Sequence, residues 1–154
     1  GTVKERMGDA SQAMLALTYC MPGMPLIYSG QEYDLDHRLK FFEKDSIPKK
    51  KGEVWPLLEK LGQLKNESPA LAGAKAPSSY EKIETSREEN IIAFRRKNEI
   101  SELIYLCNTG PDKVEFTLSL TGKYKDYMSG TEVDLQGNDT YQLGAWDYRI
   151  LLKM

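Results

Sequence analysis

Apolar and polar positions change their spacing once along this chain, near residue 72. On the N-terminal side Met7, Ala10, Met14, Leu17 and Met21 recur at helical spacing, and Ala13, Leu15 and Ala16 widen the stripe. That pattern predicts a helix whose C-terminal half is deeply buried, its methionines filling an irregular core. Val54, Leu57, Leu58, Leu61 and Leu64 form a second helical face. Pro56 is tolerated there only because it falls in the first turn, and the helix should stop near Asn66, before Ser68-Pro69. Between the two, Pro22 and Pro25 block any continuing helix, so Leu26, Ile27 and Tyr28 read as a short buried strand that Gly30 ends. Helix, strand and helix in succession are the grammar of βα architectures with parallel strands.

Past residue 72 the period shortens to two. Short strands are expected at Tyr80 to Thr85, Ile91 to Lys97, Glu102 to Cys107, Lys113 to Leu118, Tyr124 to Met128, Thr131 to Leu135, Thr140 to Leu143 and Trp146 to Lys153. Gly110-Pro111, Ser129-Gly130, Gly137-Asn138 and Gly144 supply turns. Such spacing implies a sandwich or barrel. The small-residue stretch from Ala70 to Ser79, with Gly73 and Pro77, marks the change of pattern.

Composition narrows the function classes. A chain of 154 residues with 40% hydrophobic content can support a core. A net charge of -2 leaves no basic field for phosphate neutralisation, so nucleic acid is not an expected partner. No run approaches membrane-spanning length, and no membrane partner is expected. Gly1 to Arg6 hold neither an apolar signal core nor an initiator methionine, which reads as a processed or truncated start and leaves localisation open. With two cysteines, no Cys-x-x-Cys and one histidine, a zinc site of ordinary spacing is excluded; Cys20 and Cys107 are expected to be buried thiols.

The stretch Pro22 to Glu32, Pro-Gly-Met-Pro-Leu-Ile-Tyr-Ser-Gly-Gln-Glu, resembles the eighth-strand motif of the α-amylase family of glycoside hydrolases. Gly23, Pro25, Ile27, Tyr28, Gly30 and Glu32 match the Gly-x-Pro-x-Ile-Tyr-x-Gly-x-Glu pattern. The likeness extends to the preceding helix, to Phe41 to Ile47, which is similar to a Phe-x-x-x-Asp-x-Ile segment, and to Val54 to Pro69, which resembles the eighth helix. The resemblance implies an α+β fold: a helix-strand-helix remnant of a (β/α)8 barrel followed by an all-β antiparallel sandwich domain. Residues 1–72 would be the C-terminal piece of the barrel (seventh helix, eighth strand, eighth helix), and residues 73–154 the C-terminal β-sandwich domain.

What the chain would do follows from the same resemblance. Its parent would be a retaining hydrolase of starch or related α-glucans; an extracytoplasmic location would suit such a parent, while the chain itself leaves localisation open. Glu32, Asp34 and Asp36 are residue types that a glycosidic acid/base pair needs, and they stand where barrels place functional loops. The family's catalytic carboxylates, however, lie at the ends of the fourth, fifth and seventh strands, and its Asn-His-Asp motif would end before Gly1. No catalytic residue is therefore expected here, the six motif residues are expected to be structural, and His37 is expected to brace a loop. Calcium is frequent in the family, but no oxygen cluster here is specific enough to assign a metal, and no cofactor is expected.

Three features carry alternative readings. Lys49 to Lys51 form a short positive run of the kind that is usually solvated, with phosphate binding the weaker alternative. Trp55 suits a helix-start core anchor better than a sugar-stacking platform. Tyrosines and Trp146 of the β-part could stack on sugar rings, which two coplanar solvent-facing rings would establish. A non-catalytic glycan- or protein-binding β-domain module is thus the alternative function. Finally, a lone barrel strand leaves unpaired edges and apolar faces, so a homo-oligomer formed through the barrel remnant is expected.

Overall fold

In the computed structural model, which describes residues 1–73 and 77–154, helices lead and strands follow. α1 (Val3–Met7) starts with a capping box, in which the Thr2 hydroxyl accepts from the Glu5 amide and the Glu5 carboxylate accepts from the Thr2 amide. A 3-10 turn at Gly8–Ala10 leads into α2 (Ser11–Cys20), and α3 (Val54–Glu67) comes after a long irregular stretch. The strands are β1 (Ser79–Lys82), β2 (Ile91–Lys97), β3 (Glu102–Asn108), β4 (Val114–Thr117), β5 (Thr121–Asp126), β6 (Glu132–Gln136), β7 (Thr140–Leu143) and β8 (Tyr148–Lys153).

Six strands form one antiparallel sheet in the order β1-β2-β3-β8-β5-β6, while β4 and β7 pair as a small second sheet. The large sheet is covered on both faces. On one, Leu103, Tyr105, Cys107, Phe94 and Ile150 meet Ala13, Ala16, Tyr19 and Cys20 of α2 and Leu57, Leu61 and Leu64 of α3. On the other, Ile104, Leu106, Ala93 and Leu151 meet Val114, Phe116 and Leu143 of the small sheet. β3 is therefore buried at every residue, its side chains alternating between the two cores. The α+β class with an antiparallel sandwich is observed, and the first core runs across residue 72.

Polar ties join the helices to the sheet. Arg96 of β2 is buried and donates from Nη1 to the Cys20 carbonyl (3.1 Å) and from Nε to the Ser79 carbonyl (2.9 Å). Lys65 Nζ reaches the Met21 carbonyl at 3.4 Å, so two cations face the C-terminal end of α2, where orphan carbonyls favour positive charge. The Tyr105 hydroxyl donates to the Ala13 carbonyl at 2.7 Å. Lys60 and the turn after β5 exchange bonds: Lys60 Nζ donates to the Met128 carbonyl and the Tyr127 hydroxyl to the Lys60 carbonyl.

Three expectations are corrected. Leu26, Ile27 and Tyr28 form no strand; Leu26 and Tyr28 are 85% and 67% exposed, because no described segment lies alongside to pair with them. The face of the first helix that packs on the sheet is Ala13, Ala16, Tyr19 and Cys20 rather than the methionine stripe: Met7 and Met21 are exposed and Met14 and Leu17 half-buried. The strand expected at Tyr80 to Thr85 ends at Lys82, with a single bridge continuing from Thr85 to Leu118. Both thiols are free and buried, as expected. Within the small-residue stretch, residues 74–76 lie outside the described ones.

Candidate functional site

The polar loops between Gly30 and Gly52 carry most of the chemistry singled out in the sequence. Gly30 starts them in the left-handed region (φ 94°), and a Cβ there would run into Leu35, so the motif glycine is required twice over. The Glu32 carboxylate accepts from the Gly30 amide at 2.8 Å, closing the turn that Gln31–Tyr33 continues as 3-10 helix. Asp34 follows with φ 53°, a conformation Asp tolerates better than most residues. Its Oδ2 accepts from the Val54 amide at 3.2 Å.

That bond explains where α3 begins. Glu53, the preceding residue, makes no side-chain cap, and Asp34 supplies the acceptor from twenty residues upstream. Gly52 makes room for it, since a Cβ at that position would collide with the Asp34 carboxylate. Sequence reading missed this role because a cap normally sits beside its helix. The carboxylates of Glu32 and Asp34 are both engaged by backbone N–H groups.

His37 lies between two acids, with Nδ1 at 4.0 Å from Asp36 and Nε2 at 3.7 Å from Asp45. Asp45 in turn accepts from the amides of Lys40 and Ser46, and these bonds, with help from His37 and Lys40, hold its carboxyl below the usual carboxylate range. Trp55 packs against Tyr33 at 5.4 Å between ring centres, and Lys51 Nζ stands 4.3 Å from the indole centre. Its buried Nε1 has no hydrogen-bond partner. Lys51 is the member of the positive run that reaches an aromatic face; Lys50 and Lys51 line an open depression of about 260 Å³ together with Tyr33, Asp34, Asp36 and His37. Among the described residues no group of three or more His, Cys, Asp or Glu is placed to hold a metal.

The aromatic residues of the β-part do not make a stacking platform. Tyr105 and Tyr124 point into the cores, Tyr127, Tyr141, Trp146 and Tyr148 are half-buried, and the exposed Tyr80 packs on Phe94 at 5.0 Å. Burial pushes the Tyr148 hydroxyl up to about 12 and raises that of Tyr105 further. Apolar exposure is concentrated elsewhere, at Met24, Leu26, Tyr28, Phe41 and Phe42, all more than 65% exposed.

The assembly of two helices on a six-stranded sheet backed by a two-stranded one is the fold of the C-terminal part of α-amylase-type structures. A noncanonic maltogenic α-amylase, AmyB from Thermotoga neapolitana, matches with a TM-score of 0.78 and 18% identity over 94% of this chain and 36% of its own. An α-amylase from Geobacillus thermoleovorans, solved with acarbose, matches at 0.71 with 14% identity over 95% of this chain and 33% of that one. An Anoxybacillus α-amylase matches at 0.68 with 21% identity over 94% and 32%. This chain thus spans about a third of the length of these proteins. No family profile and no curated protein matches by sequence.

Proposed function

We propose that this chain is the C-terminal portion of an α-amylase-like glycoside hydrolase acting on starch or related α-glucans, and that it holds none of the catalytic carboxylates. The observation that carries this reading is that nearly the whole chain shares its fold with about a third of amylase structures that are about three times longer. The Gly23, Pro25, Ile27, Tyr28, Gly30 and Glu32 motif adds independent support from sequence. On this reading those six residues are structural: Gly30 and Glu32 build the turn that leads to the Asp34 cap of α3. Residues 1–72 then complete a barrel and 73–154 form the appended β-domain, and the exposed Met24 to Tyr28 segment is where the rest of the barrel would pair. Starch or maltotriose hydrolysis by the chain alone is expected to be absent; hydrolysis abolished by Glu32→Gln or Asp34→Asn would overturn the reading. The coding sequence upstream of Gly1 is expected to contain the Asn-His-Asp motif, and an unrelated domain in its place would equally refute it.

A further inference from the structure

Among the described residues three charged side chains are buried: Glu102, Asp126 and Arg96. Two of them have a counter-charge. Glu102 faces Lys153 Nζ at 3.6 Å and accepts from the Tyr124 hydroxyl at 2.6 Å, and Asp126 faces Arg149 Nε at 3.5 Å and accepts from the Met128 amide at 2.9 Å. Arg96, at 3% exposure, has no carboxylate within ion-pair distance among the described residues, whereas its neighbour Arg95 pairs with Glu81. Residues 74–76, Ala-Lys-Ala, bring no carboxylate by sequence.

The Arg96 guanidinium spends its bonds on carbonyls, Nε on Ser79 at 2.9 Å and Nη1 on Cys20 at 3.1 Å. Nη2 has no partner among the described residues, and it is open enough to reach solvent. The next carbonyl along the chain, that of Met21, faces a second cation, Lys65 Nζ, at 3.4 Å. Burial first, and the charge of Arg96 second, hold the Lys65 ammonium below its usual range; burial acts on Arg96 in the same direction. Two cations thus crowd the end of α2, whose dipole returns only about half a negative charge. Met21 is 41% exposed, so the crowded corner lies at the surface.

The imbalance selects the ligand. Water can accept from the spare N–H groups but leaves both charges uncompensated, and a buried charge without its opposite is costly. A cation is repelled. A guanidinium and an ammonium side by side donate best to ionised oxygens, to which their hydrogen bonds are roughly twice as strong as to neutral ones. We propose that the corner formed by Arg96 Nη2 and Lys65 Nζ at the end of α2 is a binding site for a small oxyanion, a free phosphate or carboxylate group, which supplies the missing counter-charge. Bound there, the anion would tie α2 and α3 to β2 at one point. The site does not depend on the function proposed above, and failure of either leaves the other standing.

The test is titration of the intact chain with inorganic phosphate and, separately, with acetate, chloride holding the ionic strength constant, while amide resonances are followed at Met21, Lys65 and Arg96. The solvated run Lys49 to Lys51 serves as the internal control for loose attraction of anions. Saturable shifts at Met21, Lys65 and Arg96 are expected, with only unsaturated drift in the control run. Binding should be about tenfold weaker in Lys65→Met, the equivalent of one charge-assisted hydrogen bond. Lys65→Met keeps the apolar stem and leaves the buried Arg96 in place, so it tests the site without emptying the core; Arg96→Lys, which keeps the charge but loses the fork, should weaken binding as well. Saturation by acetate alone or by phosphate alone would uphold the site and say which oxyanion it prefers. Absence of saturation with both anions, equal shifts in the control run, or binding unchanged in Lys65→Met would overturn it.

Discussion

β3 and the stretch from Met21 to Phe42 are both rich in apolar residues, yet they end in opposite environments. All seven residues of β3 are buried, divided between two cores and paired on both edges. In the other stretch Met24, Leu26, Tyr28, Phe41 and Phe42 stand in solvent. Hydrophobicity sets a tendency to be covered, and only a partner surface fulfils it. Folding stability should therefore reside in the helix-sheet core, and association should reside in the exposed stretch.

The comparison can be broken most severely at Leu61, which is fully buried against the sheet. Leu61→Ala is expected to lose about 2–5 kcal/mol in urea denaturation, and a loss below about 1 kcal/mol would mean that the helices are not an integral layer. Arg96→Met should follow, at about 1–3 kcal/mol, because it leaves the Cys20 and Ser79 carbonyls without their buried donor. Tyr105→Phe, which removes one bond to Ala13, should cost about 1 kcal/mol. Leu26→Asp with Phe42→Asp is expected to stay within about 0.5 kcal/mol of the parent while reducing self-association in sedimentation equilibrium. A monomeric parent chain would break this half of the comparison.

Titration sharpens the same contrast at smaller amplitude. In the core, burial pushes the Cys20 thiol up to about 12. A raised thiol contributes stability that is complete below its unfolded pKa and is lost as pH rises towards the folded one, so both cysteines should resist thiol reagents at neutral pH until the chain unfolds. In the loops, Asp45 is shifted the opposite way by the Lys40 and Ser46 amides. Its contribution is present above the unfolded pKa and disappears as pH falls through the folded one. Amide resonances of Lys40 and Ser46 are expected to move only below about pH 4, without global unfolding.

Much of this architecture is legible in local spacing. The limits of β2 and of β7 agree with the alternation that defines them, and the leucine face of α3 is the one that is buried. Reading fails where a distant partner decides. Leu26 to Tyr28 have the composition of a strand but nothing to pair with, and the separation of β4 and β7 into a second sheet depends on long-range register. The methionine spacing marks a helix but not which of its sides turns to the sheet. At the loops the motif glycine and Glu32 stand out in sequence, whereas the reach of Asp34 to Val54 does not. The pairing of Arg149 with Asp126 is equally illegible, because only the alignment of β5 with β8 brings the two together.

The strand order also has a consequence for biosynthesis. β8 lies in the middle of the large sheet, between β3 and β5, although it is translated after both. While the ribosome is still making residues 109–147, β3 waits with one edge open and the half-sheet of β5 and β6 has nothing to join. Native pairing closes like a zip fastened from its last tooth, and until then the nascent polypeptide presents its most apolar strand to chaperones.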